Sequence, residues 1–302
     1  MSGAPALPEQ AVAPPKLLLD ANVFHGLAKR HSLDQYKDRL LQIAKLRTPP
    51  LLWAAPVTFE EIVTHVRPEE ADRFGQIRDA LEWMDDLCGN DGIAEDLPWT
   101  ILSGSFATAQ SFNRSKLFGM NQIRRAIQKT RSFGDLRPEI LDQVQEIRKL
   151  HFAKRAHHVA SYTAVISHAR AEPEPREKWE RPKKEGATLG ELRMRHEREY
   201  GPLWGPLKPE AEQARAQREM IAFDVARLMK GANDPKYNVE SHPGDFNDQY
   251  LCFYPATGYT LVTLDGKLRK AVIEGGCPDP RVVDVARAVE IADDYLNSRS
   301  GR

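Results

Sequence analysis

One α/β sheet, built from strands near the two ends of the chain and interrupted by a long helical stretch, is the fold class this sequence predicts. Three observations carry it. Short apolar runs of strand length, "KLLLD" at 16–20 and "YTLVTLD" at 259–265, lie near opposite ends. Helical periodicity dominates residues 99–232. At both ends strand patterns alternate with helix patterns, as they do when parallel strands are joined through helices.

The elements follow in order. Residues 1–15, rich in Ala and Pro, read as a flexible tail with neither the basic start nor the apolar core of a signal peptide. "KLLLDANVF" opens on three leucines and breaks at an Asp20-Ala21-Asn22 turn, as a short buried strand does. Leu33, Tyr36, Leu40 and Ile43 recur at steps of three and four and predict a helix, which Pro49 and Pro50 stop. "LLWAAPVTFEEIVTHV" reads as a second strand running into a helix with Thr58 as its cap. Residues 68–87 predict a helix starting at Pro68, followed by the loop "CGNDG".

Two helices are expected over "NRSKLFGMNQIRRAIQKTRSFG" and, from Pro138, "PEILDQVQEIRKLHFAKRAHHVASYTAVISHA". The charged, Pro-rich stretch 172–186 reads as an exposed loop, with helical pattern resuming over 187–199 and 209–231. A helix, the "YTLVTL" strand, a short helix at 266–274, the strand "RVVDV" and a closing helix complete the chain. The expected organisation is a tail over 1–15, a discontinuous α/β unit over 16–98 and 245–302, and a basic helical insertion over 99–244.

Composition narrows the function classes. Apolar residues make up 41% and charged residues 28%. The longest apolar run, "LLWAAPV", is far below the ~20 residues of a membrane span. Cys88, Cys252 and Cys277 are widely spaced, which argues against a disulfide framework or a cysteine zinc site and fits a reducing cytoplasm. Net charge is zero, but residues 101–232 hold 25 Lys and Arg against 16 Asp and Glu, while the rest of the chain holds 18 against 27. One part concentrates carboxylates and another is suited to neutralise phosphates.

Four acids fall where a parallel sheet gathers its chemistry, outside the carboxyl ends of its strands. Asp20 ends the first strand and Glu61 lies in the first turns after the second. Asp248 opens the helix before "YTLVTL", and Asp265 ends that strand. Like charges brought together need a neutraliser, and the simplest is one or two hard divalent cations with oxygen ligands, Mg²⁺ or Mn²⁺. Such an ion acidifies a bound water, which can attack phosphorus in line. With no Walker loop, G-x-G-x-x-G or G-x-S-x-G in the chain, the pattern points to metal-dependent phosphodiester cleavage.

The pieces "LLLDANVF", "PVTFEEIV" and "NDQYLCFYPATGYTLVTLDGKL" together resemble PIN-domain nucleases, including toxin-type ribonucleases. The resemblance covers 16–66 and 245–290, about a third of the chain. It implies a three-layer α/β/α sandwich around a parallel sheet, with Asp20, Glu61, Asp248 and Asp265 as metal-holding catalytic carboxylates. Glu61 is preferred to Glu60 because an aliphatic residue, Ile62, follows it. Asp245 is either a fifth carboxylate of the site or a helix cap. Asn22 and Thr263 are expected to orient the ligands by hydrogen bonds.

The resemblance further implies an endonuclease that leaves 5′-phosphate and 3′-hydroxyl ends, RNA favoured over DNA as substrate, a toxin or phage-defence role, an antitoxin or other regulatory protein as partner, and a homodimer. The competing readings are a catalytically silent binding module and a structure-specific DNA nuclease. A haloacid-dehalogenase-type phosphatase would need a second Asp where Asn22 stands.

In the insertion, Arg114, Lys116, Arg124, Arg125, Lys129 and Arg131 fall in one helical pattern with Phe112, Phe118 and Phe133 between them. Guanidinium groups beside aromatic faces suit a single-stranded nucleic acid. An amphipathic helix with its aromatic stripe in the core would show the same pattern. His151, His157 and His158 have no clear ligand spacing and receive no role.

Overall fold

Leu17, Leu18 and Leu19 are all completely buried, which places β1 (Lys16–Leu19) in the interior of a sheet covered on both faces. In this computed structural model the described residues are 13–29, 32–46, 49–89, 92–94, 114–171, 234, 236–241, 247–248, 251, 254–255, 258–274 and 281–300. After β1 come α1 (Ala21–Ala28), α2 (Asp34–Ala44), β2 (Leu52–Ala54), α3 (Pro56–Thr64) and α4 (Phe74–Cys88). Next are α5 (Arg114–Gln128) and α6 (Pro138–Ala171). The chain then returns to the sheet with β3 (Tyr259–Val262), α7 (Gly266–Glu274), β4 (Val282–Val283) and α8 (Val285–Ser300).

The four strands are all parallel, in the order β2-β1-β3-β4. Leu18 stands opposite Trp53 on one side and Leu261 on the other. The expected α/β sheet with strands from both ends of the chain is present.

Alternation along the strands separates two cores. Leu17 and Leu19 join Leu52, Ala54 and Val262 on one face, packed by residues of α1 to α6 and α8. Leu18 joins Tyr259, Leu261 and Val282 on the other, packed by Leu251, Tyr254 and Leu268 of α7. Where the expected insertion is described, its first two helices enter the larger core through Met120, Ile123, Ile127, Ile140 and Val144. The loop expected at 172–186 and the helices expected at 187–199 and 209–231 lie outside the described residues. Among the described residues, no helix is long and apolar enough to cross a membrane.

Three local expectations change. Thr58 is not a cap: α3 starts two residues earlier, because Pro56 takes the first helical turn, where its missing N–H costs nothing. Pro68 opens a short 3₁₀ turn, Pro68–Arg73, and the α-helix begins only at Phe74. Glu70 leaves helical backbone geometry there, and its carboxylate bonds His65, Arg67 and Arg73. Part of "CGNDG" extends the sheet edge, with Ala54 N donating to Gly92 O (2.8 Å) and Ala94 N donating to Ala54 O (2.9 Å). A side chain at Gly92 would press on the carbonyl oxygens of Cys88 and Leu52, so only glycine fits.

Leu18→Ala tests the central place of β1. It is expected to cost about 2–5 kcal/mol, read as a lower urea midpoint at unchanged m-value. A cost below about 1 kcal/mol would contradict a strand packed on both faces.

Candidate active site

The strand order reverses between β1 and β3, since β1 leads outward to β2 and β3 leads outward to β4. Open α/β sheets form their ligand crevice at such a reversal, outside the carboxyl ends of the strands. Asp20 is the first residue after β1, and Thr263 is the first after β3. The backbone fixes both, with Asp20 N donating to Val262 O and Thr263 N donating to Val283 O, each at 3.0 Å.

Asp20 is 4% exposed and held by three donors. Its Oδ1 accepts from Ala21 N (2.6 Å), so the residue is also the N-cap of α1. Its Oδ2 accepts from Thr263 Oγ1 (2.9 Å) and Asn22 Nδ2 (2.5 Å). Asn22 ties the two strand ends together, because its Oδ1 accepts from Leu264 N (2.9 Å). Asp265 donates its backbone N–H to Thr263 Oγ1 (3.0 Å), and its carboxylate accepts from Lys267 N (2.7 Å) to cap α7. The turn read at Asp-Ala-Asn is therefore a helix start built around a buried carboxylate.

Glu61 reaches the same crevice from α3, partly buried. Burial pushes its carboxyl up to about 8, the Asp20 charge adds to the rise, and a side-chain hydrogen bond from Asn247 opposes it. Asp20 is pushed up to about 6, again chiefly by burial. The Thr263 and Ala21 hydrogen bonds resist that shift, and the Asp265 charge adds to it. Glu61 and Asp265 thus each lie within electrostatic reach of Asp20. Glu60, on a different side of α3, lines a cavity with Met120, Ile123, Ile147 and Leu150 instead.

Asp248 is partly buried and follows Asn247 in a stretch of helical backbone, while Asp245 lies outside the described residues. Asn247, which the sequence did not single out, is 5% exposed, and among the described residues its buried Oδ1 has no hydrogen-bond partner. Its only sequence signal is adjacency to Asp248. His25 of α1 and His65, the residue just after α3, meet edge to face at 5.8 Å. Burial, with the charges of His65, Lys29 and Arg73, pushes His25 down to about 4.

Among the described residues, no three His, Cys, Asp or Glu side chains are gathered into a group that could hold a metal ion. The chemistry of the crevice nonetheless fits a hard cation. Among the described residues its donors are oxygens, two carboxyls have no cation beside them, and one buried amide oxygen has no hydrogen-bond partner. Mg²⁺ in particular keeps several waters and needs only one or two protein carboxylates.

No family model, no curated protein and no solved structure matches the chain.

The basic residues divide. Arg125, Lys129 and Arg131 are exposed, and the side chains of Arg114 and Lys116 lie outside the described residues. Arg124 departs from the expectation of a nucleic-acid contact. It is 1% exposed, lies on the helix face of Met120, Ile123 and Ile127, and pairs with Asp85 at 2.9 Å. Arg124→Glu puts an unpaired carboxylate where a buried guanidinium stood, facing Asp85, and is therefore expected to destabilise the fold by about 3–5 kcal/mol. Arg125→Glu should leave the unfolding midpoint unchanged and weaken nucleic-acid binding at low salt. Equal midpoints for both variants would place Arg124 at the surface after all.

Proposed function

We propose that this protein is a divalent-metal-dependent nuclease of PIN type that hydrolyses phosphodiester bonds in RNA. The observation that supports it most is the pair Asp20 and Glu61. These two carboxyls converge at the reversal of a parallel sheet, pushed up by burial and mutual repulsion, with no cation paired to either among the described residues. Holding two uncompensated acids in one crevice is costly unless the site works with a bound cation.

Asp20, Glu61, Asp248 and Asp265 would hold one or two Mg²⁺ or Mn²⁺ ions. When bound, such an ion supplies neutralising charge, water activation and stabilisation of the phosphoryl oxygens. The chain's own part is orientation. Thr263, Asn22 and the Ala21 N–H aim the Asp20 carboxylate, and Asn247 holds Glu61. The exposed Arg125, Lys129 and Arg131 offer phosphate contacts outside the crevice. A toxin or phage-defence role, with an antitoxin-like regulator, follows from the sequence resemblance.

The test is cleavage of labelled RNA, single-stranded DNA and branched DNA, with Mn²⁺ or with EDTA. RNA cleavage that requires Mn²⁺ is expected. Cleavage of branched DNA alone would replace the RNA reading, and binding without cleavage of any substrate would make the fold a scaffold.

A further inference from the structure

Asn247 is a buried polar side chain with half of its hydrogen-bonding capacity used. An amide carries two donors on nitrogen and an acceptor oxygen. Here the nitrogen side serves the Glu61 carboxyl, and among the described residues the buried Oδ1 has no partner. An unsatisfied buried carbonyl costs about 1–3 kcal/mol, so such a group calls for a role. Its position supplies one: the residue is 5% exposed, touches a carboxylate of the crevice and immediately precedes Asp248. An amide beside the Glu61 carboxyl can add an oxygen for a cation without a further anionic charge. Amide carbonyls are ordinary ligands of hard cations, directly or through water.

We propose that Asn247 is a positioning residue of this site, holding Glu61 through Nδ2 and offering Oδ1 to the cation or to a water on it. The proposal rests on the divalent-cation reading of the crevice. It assigns Asn247 a task that a purely structural amide would not have, since it couples the residue to cation affinity as well as to folding.

The experiment measures Mn²⁺ affinity from the electron-paramagnetic-resonance signal of the free ion. It compares the full-length wild type, Asp20→Asn, Asn247→Leu and Asn247→Asp, with thermal unfolding in EDTA alongside. Leu matches Asn in branching and removes both polar atoms. It should keep the fold in EDTA and weaken Mn²⁺ binding about 10–100-fold, the usual cost of losing a group that orients a ligand. Asp keeps an oxygen but sets a carboxylate against Glu61, so its melting temperature should rise more on adding Mn²⁺ than that of the wild type. Wild-type affinity in Asn247→Leu, or equal Mn²⁺-induced shifts in Asn247→Asp and wild type, would overturn the assignment while leaving the metal site standing. Should the wild type bind no more Mn²⁺ than Asp20→Asn, the cation reading itself fails, and this inference with it.

Discussion

Asp20→Asn should lower the turnover of RNA cleavage by about 10²–10³-fold, equivalent to roughly 3–4 kcal/mol of transition-state stabilisation. The substitution removes one charge and little else. Asn keeps a side-chain oxygen for the Ala21 N–H that caps α1, and it keeps the size that fits the buried site. The Asn22 and Thr263 donors, which both bond Oδ2, now meet an amide nitrogen, and the Thr263 hydroxyl can turn to accept from it. The defect should therefore appear in kcat, with the apparent affinity for RNA nearly unchanged, because the exposed basic residues are untouched. In EDTA the variant should unfold at the wild-type temperature or slightly above it. Turnover within threefold of wild type would remove Asp20 from the chemistry.

Glu61→Gln should stabilise the metal-free protein at alkaline pH and lose that advantage in acid. The sign follows from the direction of the shifts. Both Asp20 and Glu61 hold their protons more tightly in the folded chain than in the unfolded one, with carboxyls pushed up to about 6 and about 8. Their favourable contribution is fully present below the ordinary carboxylate range and disappears as pH rises through those values. Because one unit of pKa is worth about 1.4 kcal/mol, the full effect is of order a few kcal/mol. The comparison in EDTA should show Gln ahead at pH 8.5 and level with wild type near pH 4.5. His25 acts in the opposite sense. Its carrying a proton less readily when folded gives stability that is present above its ordinary value and lost as pH falls through about 4. Only the difference between variant and wild type isolates Glu61, since His25 is common to both. Saturating Mn²⁺ should reverse the order at pH 8.5. A difference independent of pH would show that neither burial nor the Asp20 charge holds the proton on Glu61.

What could be read from the sequence was what has a short-range physical signature. The leucine run of β1, the "YTLV" of β3 and the helix at 266–274 announce themselves by pattern and appear where expected. The pairing of β1 with β3 could be inferred because two buried strands at opposite ends must share one sheet or leave their edges exposed. The choice of Glu61 over Glu60 needed the rotation of α3. Neighbouring helical residues point about 100° apart, so one faces Asp20 and the other the α5–α6 cavity.

Arg124 misled because composition counts charge without regard to face. Its spacing of four from Met120 and three from Ile127 places it inside the apolar stripe, where Asp85 can reach it. Asn247 had no signal of its own, because an asparagine beside an aspartate reads as ordinary turn chemistry. What sets it apart is burial against Glu61, a contact between distant parts of the chain.

The clasp between Thr263 and Asp20 joins residues 243 positions apart. At synthesis rates of roughly 5–20 residues per second, the first acid leaves the ribosome some 12–50 s before the hydroxyl that steadies it. A nascent polypeptide therefore carries Asp20 and Glu61 through that interval without the later strand that closes the crevice. On the proposed nuclease reading, cutting ability should appear only once that strand has been made, which would spare the RNA around the ribosome until then.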